Sequence, residues 1–347
     1  MRVLIFGGSG FLGRNLADYL SNLNHTVTIF DKRNTLKKNS KIKFIKGNIL
    51  NFKKVLKATR KQDVVYNLAG ISDIGDALKN PINTSKVNIL GSIHTLEASV
   101  RSKVRRYIFA SSIYVLSRQG GFYKSSKQSI ENFIDEYKKK NNLKYTILRY
   151  GSVYGPDSDK RNGIKKLIIS ALKDKSITYG GTARAERRFI HVNDAVKSSV
   201  KVLDKKFINK RVLITGNKSI KIKKLISEIK SILRINKKVI FKRKPMMGHY
   251  DKNPFNDYPK KQITFFVKPS ISLKSGIIKI VDPFGDLTSH FFLRSSSFIE
   301  IHLESSIVIG KVFMLSVPEI INIWYISGIN KPFIGKSLHS KSSNVEK

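Results

Sequence analysis

The feature that most constrains this chain is a glycine-rich turn between a short apolar segment and a helical pattern. Glycines stand at positions 7, 8, 10 and 13, directly after the apolar residues 3–6. Leu12, Leu16 and Leu20 then follow with the spacing of one helix face. Glycines let a backbone turn tightly and approach a pyrophosphate, which is held at the N-terminus of the following helix. The segment therefore predicts a strand, a phosphate-binding turn and a helix.

An acidic residue stands at the end of the next apolar segment. Asp31 lies 18 residues after Gly13. A carboxylate at this place accepts hydrogen bonds from the ribose hydroxyls in the adenosine half of NAD. Lys32 and Arg33 would suit the additional 2′-phosphate of NADP, but the Asp31 carboxylate would repel that phosphate. We therefore predict dinucleotide binding, with NAD as the cofactor and NADP as the alternative.

Strand and helix patterns alternate along the first half of the chain. Apolar segments typical of buried strands occur at residues 3–6, 26–30, 42–45, 63–68, 106–110 and 145–150. Helical patterns at residues 11–23, 83–99 and 123–140 separate several of them. This alternation predicts the α/β class, with a Rossmann-type, doubly wound parallel sheet.

The later part of the chain divides differently. We assign residues 1–150 to an NAD-binding Rossmann domain and residues 151–281 mainly to a smaller C-terminal substrate-binding domain. A strand pattern at residues 211–215 is a candidate to rejoin the first domain. From residue 282 onward the alternation stops and acidic residues balance basic ones, so residues 282–347 form a tail without an assigned role.

The charge of the chain permits one further class of function. The formal net charge is +42, which is compatible with nucleic-acid binding. The lysines are scattered, however, and this favours a compositional bias over a binding surface.

The chain has no cysteine, which excludes disulfides and cysteine nucleophiles. No run reaches the ~18 apolar residues of a membrane span, so we expect no span and a cytoplasmic protein.

A tyrosine and a lysine stand four residues apart at the start of a long helical pattern. Tyr123 and Lys127 therefore share one helix face. A lysine ammonium near a phenol favours the phenolate and lowers the phenol pKa, which is ordinarily about 10. Such a phenolate is a general base usable near neutral pH. Ser112, at the end of the preceding strand pattern, supplies a hydroxyl that would hold the substrate oxygen.

Further motifs follow the glycine turn in a fixed order. They are Asn-Leu-Ala-Gly at 67–70, Ser-Ser at 111–112, Tyr-Lys-Ser-Ser-Lys at 123–127, Arg-Tyr-Gly-Ser-Val-Tyr-Gly-Pro at 149–156 and Arg-Arg-Phe-Ile-His-Val-Asn-Asp at 187–194. In this order they resemble the extended short-chain dehydrogenase/reductase superfamily, and most of all its NAD-dependent epimerase/dehydratase family acting on nucleotide sugars. The resemblance covers residues 1–281 and implies an isomerase or oxidoreductase of carbohydrate biosynthesis.

The resemblance also implies roles for the matching positions. Ser112, Tyr123 and Lys127 would form the catalytic triad. The cofactor would contact Gly7, Gly10, Phe11, Leu12, Gly13, Asp31, Asn48, Ile49, Ala69 and Gly70, together with Tyr123 and Lys127. The nucleotide sugar would contact Asn88, Ser152 and Arg187, with Arg187 at the diphosphate. No His, Asp and Glu residues have metal-ligand spacing, so no metal is predicted.

Departures from the family pattern narrow the reaction. Asn48 replaces the aspartate that family members place beside adenine, and Ser152 stands where many have asparagine. Ile113 and Tyr114 follow Ser112, where sugar 4,6-dehydratases usually carry Asp-Glu and UDP-glucuronate decarboxylases carry a glutamate at the second position. Because neither residue is a carboxylate, both activities are disfavoured.

These observations favour one enzyme and leave two alternatives. We predict an NAD-dependent nucleotide-sugar epimerase, most simply a UDP-hexose 4-epimerase with a transient 4-keto intermediate. One alternative is an NAD(P)-dependent 4-keto-sugar reductase or dehydrogenase with the same triad. The other is a basic Rossmann-fold RNA-binding protein, against which the intact Ser112, Tyr123 and Lys127 argue. Family members are often dimers, so a homodimer is expected.

Overall fold

The computed structural model describes residues 1–36, 40–252, 254 and 271–282, and the backbone of 263–264, 302–303 and 306–307. The chain divides into two units, Met1–Gly285 and Asp286–Lys347. In the second unit an antiparallel pair of two-residue strands is described. The rest of the predicted tail, beyond Asp282, lies outside the described residues.

The strands are numbered in the order in which they occur along the chain. They are β1 (Arg2–Phe6), β2 (Thr26–Asp31), β3 (Lys43–Lys46), β4 (Val64–Asn67), β5 (Arg106–Ser112), β6 (Tyr145–Tyr150), β7 (Ser152–Tyr154), β8 (Ser176–Tyr179), β9 (Glu186–Arg187), β10 (Phe189–His191), β11 (Lys210–Ile214), β12 (Ile220–Lys221), β13 (Lys238–Phe241), β14 (Ile263–Thr264), β15 (His302–Leu303) and β16 (Ser306–Ile307).

The α-helices lie mostly between these strands. They are α1 (Phe11–Asn22), α2 (Phe52–Thr59), α3 (Ile74–Lys79), α4 (Pro81–Thr84), α5 (Gly91–Arg101), α6 (Gly121–Asn141), α7 (Gly163–Lys173), α8 (Val192–Lys201), α9 (Ile222–Leu233) and α10 (Leu273–Val281). A π-helical turn, Ser85–Leu90, joins α4 to α5, so the helix predicted at 83–99 is present but changes its winding.

The central sheet has the order β3-β2-β1-β4-β5-β6-β11, and β14 extends it at the β11 edge. All of these pairs are parallel. The strand order reverses at β1, where a doubly wound sheet opens a crevice at the carboxyl ends of its strands. The predicted Rossmann-type α/β fold is therefore confirmed. The strand predicted at 211–215 pairs with β6 in this sheet.

Strand alternation explains why the sheet is covered on both faces. Val3 and Ile5 pack into one apolar cluster with α1 and α8, whereas Leu4 and Phe6 pack into the cluster on the opposite face with α5 and α6. All four side chains are fully buried. A parallel strand covered on both faces is a continuous apolar run, and this is the pattern that residues 3–6 show.

A further apolar cluster lies outside the sheet. It is formed by α7, α9 and α10, with Leu167, Ile229 and Ile277 among its buried members. Helix α10 was not predicted from the sequence. Its residues Ile277 and Ile280 are nevertheless completely buried in this cluster. The assignment of residues 151–281 mainly to substrate binding stays a prediction.

Candidate active site

The glycine turn between β1 and α1 has no room for a side chain at Gly7 or Gly13. Gly7 has a φ of +77°, and a Cβ there would lie 2.6 Å from the amide nitrogen of Ala69. A Cβ on Gly13 would lie 2.3 Å from the carbonyl oxygen of Gly7. Gly10 is the N-cap of α1 and offers no side chain to its first turn. The N–H groups of that turn are therefore suited to an anionic ligand.

We expect Gly13→Ala to lower the free energy of unfolding by about 1–3 kcal/mol, because the added methyl group meets backbone rather than a movable side chain. Gly163→Ala is the matched control, since a Cβ at this first residue of α7 meets nothing within 4 Å. Urea unfolding of both variants checks the prediction. Equal stability of the two variants would show that the turn is not tightly packed.

Asp31 is held beside this turn. Its carboxylate accepts hydrogen bonds from the backbone N–H of Ser9 at 3.1 Å and of Lys32 at 2.7 Å. The side chain is partly exposed at the carboxyl end of β2. Because Ser9 belongs to the glycine turn, its hydrogen bond fixes Asp31 relative to that turn. Asp31 is the predicted ribose contact, and the turn is the predicted pyrophosphate contact.

A cavity of about 520 Å³ opens at the carboxyl ends of β1, β5 and β6. Eleven of the predicted site residues line it: Gly7, Gly10, Phe11, Leu12, Gly13, Gly70, Ser112, Tyr123, Lys127, Ser152 and Arg187. The other predicted contacts, Asp31, Asn48, Ile49, Ala69 and Asn88, are not in its lining. The structure therefore brings the predicted triad and the glycine turn to one cavity.

Three of the residues outside the lining, Asn48, Ile49 and Asn88, have structural partners. The Asn48 side chain accepts the N–H of Leu50 at 3.0 Å, and Ile49 is buried in an apolar cluster. Asn88 is buried and holds the strand-to-helix loop, because its amide accepts the N–H of Ile71 at 2.7 Å. The same amide donates to the Ile71 carbonyl and to Ser126 Oγ, each at 3.0 Å. Asn88 therefore fixes the backbone of Ile71, which lines the cavity, without lining the cavity itself.

Tyr123 lies on α6 with its phenol almost completely buried. Burial raises the pKa of Tyr123, and a hydrogen bond with Ser112 opposes the rise. The net direction is upward, so the sequence-based expectation of a lowered pKa is wrong for this arrangement. The physical reason is desolvation, which disfavours the charged phenolate.

Lys127 lies one turn further along the same helix face. Its ammonium donates to the carbonyl of Ala110 at 2.8 Å and lies 4.8 Å from the ring centroid of Phe109. Burial lowers the pKa of Lys127 to about 8, and the negative charge of Glu131 opposes this shift. The lysine is therefore fixed at the carboxyl end of β5, within the cavity that Tyr123 also lines.

Glu131 continues this helix face into a buried ionic network. Its carboxylate accepts from Ser111 Oγ at 2.6 Å, and Arg149 donates to it from Nε at 3.0 Å and from Nη2 at 2.5 Å. Arg211 adds a hydrogen bond at 3.3 Å and also bonds Asp135 at 2.5 Å. The network ties α6 to β5, β6 and β11, and so fixes the helix that carries Tyr123 and Lys127.

The cavity lining also contains Tyr114 and His249, which were not among the predicted site residues, together with the predicted Arg187. Arg187 donates from Nη1 to the carbonyl of Tyr250 at 2.6 Å, and its guanidinium carbon lies 4.4 Å from the Tyr250 ring centroid. Tyr114 and His249 also line the cavity, and a hydrogen bond of 2.7 Å joins the Tyr114 hydroxyl to His249 Nδ1. The sequence showed Tyr114 only as a missing carboxylate, and 135 residues separate it from His249.

Two further properties of the described residues bear on the chemistry. Among them, no group of three or more His, Cys, Asp or Glu side chains is placed to bind a metal ion. None of the helices in the described part of the chain has the length and apolar character needed to cross a membrane.

Comparison with known proteins adds the evolutionary context. The NAD dependent epimerase/dehydratase family matches residues 3–214. The chain is 28% identical to a putative UDP-glucose 4-epimerase of Methanocaldococcus jannaschii over 308 residues, which covers 81% of this chain and 97% of that protein. It is also 28% identical to a UDP-N-acetyl-alpha-D-glucosaminuronate decarboxylase of Bacillus cytotoxicus, over 69% of this chain and 82% of that protein.

A solved structure shows the same similarity in three dimensions. UDP-glucuronic acid 4-epimerase from Bacillus cereus, in complex with UDP-glucuronic acid and NAD, superposes with a TM-score of 0.71. The two sequences are 26% identical, and the match covers 83% of this chain and 100% of that one. The names of these similar proteins describe different reactions.

Proposed function

This chain belongs to the NAD dependent epimerase/dehydratase family, and on that premise we propose that it is an NAD-dependent UDP-hexose 4-epimerase. The observation that carries the proposal is one cavity lined by Ser112, Tyr123, Lys127 and the glycine turn, with no carboxylate at positions 113 and 114. The 4-epimerases among its similar proteins support the same activity.

The glycine turn supports NAD as the cofactor. Gly7 and Gly13 let the turn pack closely against neighbouring backbone, and Gly10 gives the first turn of α1 no side-chain cap. A pyrophosphate would accept hydrogen bonds from the N–H groups of that first turn. Asp31, fixed beside the turn, would hold the adenosine ribose. When bound, NAD supplies the hydride acceptor and donor for the sugar carbon. The protein's own residues then have to bind the sugar, orient it and move a proton.

We assign the proton transfer to Tyr123. Its phenol would take the proton from the C4 hydroxyl as that carbon becomes a ketone, and would return a proton when the alcohol forms again. Because burial raises the Tyr123 pKa, the phenolate needs a stabilising charge, which the Lys127 ammonium in the same cavity would supply. Ser112, hydrogen-bonded with Tyr123, would orient the same substrate oxygen.

The residues after Ser112 favour epimerisation over elimination or decarboxylation. Ile113 is buried, and Tyr114 presents a neutral phenol to the cavity. Burial raises the Tyr114 pKa far above its usual value, so its hydroxyl stays protonated. Loss of water from the sugar needs an acid and base beyond the triad, and neither residue offers a carboxylate. A 4-keto intermediate would therefore remain until it is reduced again.

The proposal is tested by incubating the purified protein and NAD with UDP-, dTDP-, GDP- and CDP-hexoses and identifying products by NMR and mass spectrometry. We expect the 4-epimer of a UDP-hexose, with unchanged mass. A product lighter by one water would contradict the proposal. Net reduction of NAD, together with a keto sugar lighter by two hydrogens, would instead favour the dehydrogenase alternative.

We expect Asp31→Ala to weaken NAD binding by roughly tenfold or more, because hydrogen bonds to a charged group contribute about 1.5–3 kcal/mol. The preference for NAD over NADP should narrow, since the repulsion of a 2′-phosphate is removed while Lys32 and Arg33 remain. Titration of both cofactors measures this. The variant Asp31→Asn removes the negative charge but keeps an oxygen that accepts hydrogen bonds, so it distinguishes the two effects. An unchanged NAD/NADP affinity ratio in both variants would refute the assignment of Asp31 to the adenosine ribose.

Two further features belong to this proposal. A homodimer is expected from the family, and sedimentation equilibrium of the purified protein tests it. A cytoplasmic location suits an enzyme that uses NAD and a nucleotide sugar, and cell fractionation tests that.

A further inference from the structure

Two neighbouring residues of β5 hold two successive turns of α6. The carbonyl oxygen of Ala110 accepts a hydrogen bond from Lys127 Nζ at 2.8 Å. Ser111 Oγ donates to Glu131 Oε1 at 2.6 Å. Lys127 and Glu131 follow Tyr123 at spacings of four residues, so all three side chains lie on one face of the helix. Glu131 therefore stands one turn beyond the lysine that serves the proposed base.

The charge of Lys127 depends on its protein surroundings, because the side chain is buried. Its ammonium contacts the Ala110 carbonyl oxygen and lies 4.8 Å from the ring centroid of Phe109, and neither group carries a balancing charge. Burial lowers the pKa of Lys127 to about 8, and the negative charge of Glu131 opposes that shift. With a pKa this close to neutral, a change in the surrounding charge alters the fraction of Lys127 that is protonated.

The polar groups nearest to Lys127 on the neighbouring elements are neutral. Burial raises the pKa of Tyr123, and Ser112 at the end of β5 offers a hydroxyl. A Cβ on Gly70 would lie 2.9 Å from Asn88 Oδ1 and 3.6 Å from Lys127 Nζ, so the polar side chain on that side is an amide. Four other charged side chains of the cavity lining are not among the groups that shift the Lys127 pKa: Asp73, Asp159, Arg161 and Arg187.

Glu131 belongs to a buried network in which positive and negative charges balance. Arg149 and Arg211 both donate to its carboxylate, and Arg211 also bonds Asp135. Two arginines thus face two acids. Loss of the Glu131 charge would leave excess positive charge beside Lys127, whereas loss of the Arg149 charge would leave excess negative charge. The two changes act on the lysine in opposite directions.

We propose that Glu131 is a positioning residue of the epimerase: its carboxylate, held by Ser111 and Arg149, keeps Lys127 as an ammonium ion beside Tyr123. This inference rests on the proposed function, in which that ammonium stabilises the Tyr123 phenolate. Glu131 does not line the cavity, so it acts on the reaction through Lys127.

The direct test is the titration of Lys127 itself, followed by NMR of the full-length protein with carbon-13 at lysine Cε and no nucleotide sugar. The signal of interest is the one that disappears in Lys127→Met. We expect Glu131→Gln to move its titration midpoint to lower pH by about one pH unit. Arg149→Gln should move the midpoint to higher pH. Glu136→Gln is the control, because Glu136 pairs with Lys139 at the surface, and it should leave the midpoint unchanged.

The opposite directions separate an effect of charge from damage to the network, which has no reason to move the midpoint in opposite senses. An unchanged midpoint in Glu131→Gln, or shifts of the same sign in the two variants, would overturn the inference. Thermal melting establishes whether each variant is folded. If either is unfolded, Asp135→Asn and Arg211→Gln replace the pair, since these side chains are 36% and 30% exposed. They should give smaller shifts, downward and upward respectively, and the same two outcomes would overturn the inference.

The pH dependence of turnover on a UDP-hexose tests the consequence for the reaction. Turnover should fall as pH rises through the Lys127 pKa, because the ammonium is lost. A midpoint one pH unit lower in Glu131→Gln would reduce turnover at pH 8 by about fivefold relative to the wild type. A shifted Lys127 titration with an unshifted turnover profile would overturn the role of Glu131 in the reaction. If no hexose is epimerised, the proposed function fails, and the NMR titration still decides whether Glu131 sets the charge of Lys127.

Discussion

Tyr123→Phe should reduce epimerase turnover by roughly 10²–10⁴-fold, as the loss of a general acid and base usually does. The substitution removes only the hydroxyl, which is the group in contact with Ser112. The ring packs beside Ile74 and Ala77, and phenylalanine keeps those contacts. We therefore expect the fold and NAD affinity to be preserved while the proton transfer is lost.

Steady-state kinetics on a verified UDP-hexose, with NAD titration and thermal melting, measure the Tyr123→Phe effect. Tyr137→Phe is the matched control, because it removes a phenol from the same helix, where the hydroxyl donates to Glu97 at 3.0 Å. That control should change turnover little. Wild-type turnover in Tyr123→Phe would remove Tyr123 from the mechanism, and equal losses in both variants would point to helix damage.

The second large effect concerns stability. Glu131→Ala should lower the free energy of unfolding by about 3–5 kcal/mol, because removing one partner leaves a buried charge uncompensated. Arg149 is buried against Glu131 through two hydrogen bonds, and Ser111 loses its acceptor as well. Arg211 keeps only part of its bonding, through Asp135. Urea unfolding measures the change.

Glu136→Ala is the control for Glu131→Ala, since Glu136 lies on the same helix and pairs with Lys139 at the surface. Exposed ion pairs contribute little to stability, so this variant should unfold close to the wild type. Replacing both Glu131 and Arg149 by apolar residues should recover part of the loss, because no charge of that pair remains buried. A Glu131→Ala variant as stable as Glu136→Ala would show that the network does not hold α6.

The parts of this protein that were predictable from sequence are those that local patterns determine. The turn needs glycine at positions 7 and 13 because a Cβ atom there would lie 2.6 Å and 2.3 Å, respectively, from neighbouring backbone atoms. Tyr123 and Lys127 share a cavity because four residues bring side chains to one helix face. The inner strands of the central sheet were visible because both of its faces are covered, which makes a strand such as residues 3–6 a continuous apolar run.

Long-range contacts explain what the sequence did not reveal. His249 reaches Tyr114 across 135 residues, and Arg211 reaches Glu131 across 80. No local spacing predicts either pair. The direction of the Tyr123 pKa was also wrong, because a sequence shows the neighbouring lysine but not the depth at which the phenol is buried. Helix α10 was not predicted because its apolar run is short, and the sequence does not show that this run packs against α7 and α9.

In the proposed reaction, C4 of the sugar is oxidised and reduced within one cavity, without net turnover of the cofactor. The most direct measurement uses UDP-glucose carrying deuterium at C4, incubated in ordinary water with the protein and NAD. We expect UDP-galactose that retains deuterium at C4 by NMR, with no accumulation of reduced nicotinamide absorbance. Loss of the C4 deuterium, or steady formation of reduced cofactor alongside a keto product, would contradict it.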